Sequence, residues 1–223
     1  VMLISRPGDE AADRYARPLV EVMCAQGVSR VAVLSALGAE KRPDFSLRKV
    51  ELLVERSGLE WCHVRPNFFM QMLAQPPLSS EIALQGRLSL PLGDAKVAYV
   101  DADDVAAVLC KALIDPACAG QAIEVNGPEA LDHHEILRRI SAQLRRPLDY
   151  NPIDEATARE LMQSRGFPEA HIERVMRFYA LVRAGWCSNV DEAVATLLGR
   201  ELKRLDAFIV ENADAWQAQA PRR

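Results

Sequence analysis

The sequence predicts an α/β fold: a doubly wound parallel sheet followed by a mostly helical C-terminal lobe. Three observations predict it. Short apolar runs alternate with stretches of helical periodicity from Val1 to Arg65, and β-α-β-α-β alternation with brief turns means parallel strands with helices over the sheet faces. The apolar runs are continuous, as in strands covered on both sides. Beyond Val125 nearly every stretch carries helical spacing and helix caps.

Val1 to Ser5 is a short apolar run stopped by Arg6-Pro7-Gly8 and reads as a buried strand, with the chain beginning inside it. Asp9 to Gln26 reads as a helix, with Tyr15, Leu19, Val22 and Met23 at helical spacing and Gly27 to end it. Arg30 to Leu34 is the next strand and closes on Ser35-Ala36-Leu37-Gly38; residues 39–45 form a polar loop. Ser46 to Ser57 is a helix with Leu47, Val50, Leu53 and Val54 on one face. A third strand opens at Trp61 and should end at Arg65, because the residue before a proline avoids helical dihedrals.

Pro66 then leads the chain over the sheet edge, where ligands of open α/β sheets sit. Phe68, Phe69, Met70 and Met72 follow at once. They wall an apolar pocket or lie as core under the next helix; aromatic and methionine clusters serve both ends.

Past Pro76-Pro77 the pattern loosens. Arg87 to Pro91 and Lys96 to Val100 read as strands around a Gly93-Asp94 turn. Asp101-Ala-Asp-Asp starts a helix from Val105 to Ile114, and Ala122 to Val125 is a strand. Asp132 caps a helix to Leu144, where Glu135 suits a capping box. Asp154 caps another to Arg165, and Glu169 to Ala184 turns Ile172, Val175, Met176, Tyr179 and Val182 inward. A final helix runs from Glu201 to Ala213. The expected division is a sheet part, 1–125, and a helical lobe, 126–223.

The 223 residues are 49% hydrophobic and 26% charged, an ordinary globular balance with a formal net charge of -4. No Lys/Arg block or basic–aromatic alternation occurs, which speaks against nucleic acid as a partner. No apolar run approaches the ~18 residues that span a bilayer, and no secretory signal pattern is present, so a cytoplasmic location is expected. Cys24, Cys62, Cys110, Cys118 and Cys187 form no C-x-x-C pair and read as free thiols. Asp101, Asp103 and Asp104 read as helix-start carboxylates rather than a metal set. The adjacent His133 and His134 point to different helix faces and cannot chelate together. Ser164 and Ser188 lack a nucleophile elbow. Tyr179 and Trp186 are the lobe's candidates for a pocket wall.

Several motifs carry a resemblance. Gly27 to Val31 leading into Leu34-Ser35-Ala36, Ser57-Gly58-Leu59, Arg65-Pro66-x-x-Phe69-Met70, Val100-Asp101-x-x-Asp104-Val105-Ala106 and Gly127-Pro128-Glu129-Ala130-Leu131 together resemble NmrA-like, atypical short-chain dehydrogenase/reductase proteins. Their order and spacing carry it across nearly the whole chain. The resemblance implies a Rossmann-type sheet, here partial, and a NAD or NADP cofactor. It implies a nicotinamide near Ser35, Ala36 and Leu37 and near Pro66, Asn67 and Phe68, with Ser5, Arg6 and Pro7 on the adenosine side. The substrate pocket is expected from Phe68, Phe69, Met72, Tyr179 and Trp186.

Two departures accompany it. No G-x-G-x-x-G or G-x-x-G-x-x-G turn for a dinucleotide pyrophosphate occurs. By the resemblance, the Val1 strand matches the family's fourth, so three strands are expected to be missing before it. The Tyr-x-x-x-Lys pair of the larger superfamily falls on Pro43 and Leu47, which do no proton chemistry; Lys49 is out of register. Three functions stay open: a NAD(P)H-dependent reductase of a small conjugated or iminium-type molecule, a cofactor-free binder or cyclase/isomerase, and a dinucleotide sensor. The Val1–Ser5 edge is expected to be covered by a second copy or a partner segment.

Overall fold

A computed structural model describes residues 1–5 and 9–217. Six strands lie among the described residues: β1 (Met2–Ile4), β2 (Arg30–Leu34), β3 (Glu60–Pro66), β4 (Arg87–Leu90), β5 (Gln121–Val125) and β6 (Asp149–Pro152). The helices are α1 (Ala12–Ala25), α2 (Ser46–Glu55), α3 (Leu78–Gln85), α4 (Ala102–Ile114), α5 (His133–Leu144), α6 (Glu155–Ser164), α7 (Glu169–Arg183), α8 (Ala193–Leu198) and α9 (Leu205–Glu211). They fold into two compact units. Unit 1 comprises Val1–Asn67, Ala102–Asn126 and Glu192–Leu202; unit 2 comprises Phe68–Asp101, Gly127–Asp191 and the chain from Lys203 on.

Unit 1 is the parallel sheet, in the order β1-β2-β3-β5. Strand residues alternate between faces. Leu3, Val31 and Val33 pack on one face with Ala12, Ala16, Val20 and Met23 of α1 and with Val50 and Val54 of α2. That leaves Ala32, Cys62 and Val64, all fully buried, for the other face, and α4 lies against β2 and β3. The doubly wound arrangement expected from the sequence is present.

The phase of α1 differs from the expectation. Its buried side is Ala12, Ala16, Val20 and Met23, while Tyr15, Leu19 and Val22 are 67%, 52% and 59% exposed. Small alanines let the helix axis come close to the sheet, and they hold the inner stripe in place of the larger side chains. β3 also runs one residue further than expected. Pro66 stays in register with Val125, and its carbonyl accepts the Leu37 amide at 3.0 Å.

Unit 2 holds the second, two-stranded parallel sheet of β4 and β6, and β6 was not expected. The segment 96–100 is not a strand. It makes only isolated bridges, Val97 with Leu131 and Val100 with Phe69. Its amides go to three different places: Val97 to Leu131 O, Ala98 to Cys187 O and Val100 to Phe68 O. No single neighbour is available for a ladder. Helix α3, also unexpected, buries Ser79 and Glu81 along with Ile82 and Ala83, so its inner face does not look apolar. Glu81 accepts from the Ser89 amide at 2.8 Å and from Arg165 at 2.9 Å.

The helix starts behave as read. Asp132 accepts the Glu135 amide at 2.9 Å and Asp154 the Thr157 amide at 2.7 Å. Glu135, however, turns its carboxylate to Arg138 and Arg139 instead of back to the cap, because two guanidiniums outbid one backbone amide. The expected final helix is shorter, α9, and a one-turn helix follows over Ala213–Trp216; α8 was missed. Trp216 is fully buried and donates its indole N–H to Leu73 O at 2.7 Å.

Candidate functional site

Three parallel strands of unit 1 end on buried polar side chains. Ser35 follows β2, Asn67 follows β3 and Asn126 follows β5; they are 5%, 5% and 2% exposed. Backbone bonds fix all three ends: the Ser35 amide donates to Val64 O at 2.8 Å, and the Asn67 amide to Val125 O at 3.0 Å. Asn67 Nδ2 donates to Asn126 Oδ1 at 2.9 Å. Asn126 Nδ2 is buried with no hydrogen-bond partner among the described residues. A buried amide donor left open is costly unless something accepts from it. The carboxyl edge of a parallel sheet is also where ligands of this architecture bind. The residues present therefore suit the polar nicotinamide end of a dinucleotide.

Of the other expected cofactor residues, Ala36 and Leu37 are half-buried after Ser35, Pro66 is buried, and Ser5 is half-buried after β1. Arg6 and Pro7 lie outside the described residues. Asn126 was not foreseen; its only signal was its position straight after a strand.

Behind these strand ends lies a charged network. Glu51 of α2 is fully buried and takes two bonds from Arg65, at 2.9 and 2.8 Å. Arg65 also meets Glu40 at 3.0 Å, and Arg48 bridges Glu51 and Glu55. His63 Nε2 is 3.2 Å from Glu55. Burial pushes the Glu51 carboxyl up, but the bonds from Arg65 and Arg48 outweigh it and hold it below its ordinary range. Burial pushes His63 down, against the pull of Glu51 and Glu55. Glu51, Glu55 and His63 bring ligand atoms within 4.8 Å of one another. Two guanidiniums already neutralise that set, so it reads as structure rather than a metal site. Leu47 is buried in α2 and Pro43 is exposed.

Unit 2 contains a small apolar cavity lined by Phe68, Met72, Leu78, Leu90, Leu92, Val97, Tyr99, Tyr179 and Val182, with room for about 20 Å³. No lining side chain carries a charge. Phe68, Met72 and Tyr179 were expected there; Phe69 and Trp186 are not in the lining. Phe69 bridges to Val100, and Trp186 is 41% exposed. Tyr99 was missed, since it sits in a segment that reads as a plain strand. Its ring meets Phe68 edge-on with centroids 6.2 Å apart. Its hydroxyl lies 3.1 Å from His133 Nε2. Burial pushes Tyr99 well above the ordinary phenol range, pushes Tyr179 up to about 12, and pushes His133 down to about 4. All three are neutral at neutral pH.

The Gly-Pro-Glu turn closes this unit. A Cβ on Gly127 would sit 1.8 Å from Tyr99 O, so only glycine passes there. Glu129 then accepts from Arg139, from Arg204 and from the Leu205 amide. The carboxylates of the Asp101 motif are ion-paired: Asp101 with Lys203 at 3.4 Å in unit 2, and Asp104 with Arg200 at 2.7 Å in unit 1.

The model of the NmrA-like family matches residues 39–209. The chain belongs to the NmrA-like family. Among curated relatives it is 34% identical over 165 residues to the NAD(P)H azoreductase of Xenophilus azovorans, covering 74% of this chain and 57% of that protein. It is 32% identical over 198 residues to the (4-alkanoyl-5-oxo-2,5-dihydrofuran-3-yl)methyl phosphate reductase of Streptomyces griseus, covering 86% of this chain and 69% of that one. The chain thus spans little more than half the length of the azoreductase. In fold it is similar to the NADPH-dependent quinone oxidoreductase of Escherichia coli solved with NADPH, with a TM-score of 0.82 at 19% identity over 94% of this chain and 75% of that one. Among the described residues no helix of this NmrA-like chain is long and apolar enough to cross a membrane.

Proposed function

We propose that this NmrA-like chain is part of a NAD(P)H-dependent reductase acting on a small conjugated or iminium-type molecule. The observation that carries the reading is the cavity of unit 2, walled by aromatic, aliphatic and methionine side chains, none of them charged. Such a wall favours a planar apolar guest and disfavours an ion. The names of its azoreductase and quinone-oxidoreductase relatives are in keeping with that preference.

Each unit has its share. In unit 1, Ser35, Ala36, Leu37, Pro66, Asn67 and Asn126 would hold the nicotinamide end of the dinucleotide. That group, when bound, supplies hydride. In unit 2, Phe68, Met72, Tyr99 and Tyr179 hold the acceptor. The present volume is close to that of one water. A ring enters by displacing a side chain, and Met72 is flexible and 42% exposed. Since Pro43 and Leu47 replace the usual acid/base pair, the acceptor is one that needs little help with protonation, such as a quinone, an azo dye or an iminium ion. The cation is the less favoured of these in an uncharged wall. The protein's work is then to align and to exclude water.

Turnover tests the reading. The whole protein given NADPH and a quinone or azo dye should consume NADPH, followed by nicotinamide absorbance, one for each quinone reduced or two for each azo bond cleaved. NADPH left untouched in the presence of every such acceptor would refute it.

A further inference from the structure

The turn that follows β2 is tied down on both sides of a glycine. Past Leu34 two more backbone bonds reach β3: Ser35 N–H donates to Val64 O at 2.8 Å and Leu37 N–H to Pro66 O at 3.0 Å. At Gly38 the backbone turns left-handed, with φ 74°, a conformation glycine adopts without strain. A one-turn helix over Ala39–Lys41 follows. Glu40 of that helix reaches back to Arg65, 3.0 Å away. Arg65 and Pro66 are consecutive residues of β3. The turn is therefore pinned to two neighbouring β3 residues, by a backbone bond before Gly38 and by an ion pair after it. Ala39, fully buried, seats it by packing.

The ion pair is not needed to keep Arg65 in the core. Glu51, fully buried, already takes two bonds from Arg65, at 2.9 and 2.8 Å. Arg48, which shares Glu51, has Glu55 besides. A buried guanidinium on a bidentate carboxylate has its charge met. Glu40 is a second carboxylate on a cation already paired, and its side chain is 32% exposed. Removing its charge leaves no buried ion alone. What goes is the hold on the turn.

We infer that Glu40 is a positioning residue for the dinucleotide, its pair with Arg65 holding Ser35–Leu37 in the geometry that receives the nicotinamide end. The inference rests on the reading that Ser35, Ala36 and Leu37 contact the cofactor. It extends that reading by naming the residue that sets their geometry before binding. Without the pair the turn spends part of its time open, and apparent affinity falls with the closed fraction. Glu40 acts through the turn and touches no reacting atom, so turnover at saturating cofactor is unaffected.

Two measurements on the whole protein test it. The first is backbone hydrogen exchange without cofactor. In Glu40→Gln, peptides covering residues 35–42 should exchange faster, while β2, β3 and α2 keep the protection of the parent. The second is calorimetric titration with NADPH. Glu40→Gln should bind it about three- to ten-fold more weakly, the scale of one partly exposed charge-assisted contact. In turnover KM for NADPH should rise by the same factor while kcat holds. Glu40→Asp, which keeps the charge, should recover part of the loss. Exchange or affinity unchanged in Glu40→Gln would overturn the inference and leave the cofactor reading intact. Faster exchange spread through β2, β3 and α2 would also overturn it, since Glu40 would then support the fold as a whole. A parent protein in which saturating NADPH gives residues 35–37 no added protection would overturn the cofactor reading, and this inference with it.

Discussion

At the scale of single residues, burial of neutral histidine sets a pH dependence whose sign follows from linkage. His133 is held down to about 4 by burial, against an ordinary value near 6.5. Between those values the unfolded chain binds the proton and the folded chain does not, so stability is full above the unfolded value and falls as pH drops from about 6.5 towards 4. The loss through His133 alone is about 3 kcal/mol, and His63 adds in the same direction. Urea midpoints measured between pH 7 and pH 4 should therefore decline, and His133→Gln should flatten the decline. An unchanged slope in that variant would show that His133 is not the buried neutral group described. Glu51 acts in a lower window, because its folded value is depressed: its contribution is lost only as pH falls below the ordinary carboxylate range. The sequence did not disclose these residues. Nothing in the sequence around His63 or Glu51 marks either as part of a buried charged network. Only the packing of α2 against β3 brings Arg65 onto Glu51.

At the scale of elements, local signals that do not need a partner were legible, and those that do need one were not. Caps at Asp132 and Asp154 and the strand at Arg30–Leu34 were read from short-range chemistry and appear as expected. The inward side of α1 was misread because its inner stripe is built on alanines. Helix α3 escaped because Glu81 is buried on its inner face and its charge is met by Arg165, far along the chain. The site divides in the same way: Phe68, Met72 and Tyr179 were found from apolar and aromatic character, whereas Tyr99 and Asn126 gained meaning only from contacts. The Gly127 turn gives the sharpest test at this scale. Gly127→Ala forces a Cβ onto Tyr99 O at 1.8 Å, a backbone clash that no rotamer relieves. A loss of several kcal/mol in denaturant unfolding is expected, at the upper end of single substitutions. A variant as stable as the parent would contradict the packing of that turn against residues 98–99.

At the scale of the whole molecule, the central claim concerns the carboxyl ends of the sheet strands, where β2, β3 and β5 close on Ser35, Asn67 and Asn126. Backbone amide NMR during a titration with NADPH tests it most directly. The account predicts saturable shifts concentrated at Ser35–Leu37, Asn67 and Asn126. Unmoved signals at those residues, whether NADPH binds elsewhere or not at all, would contradict it.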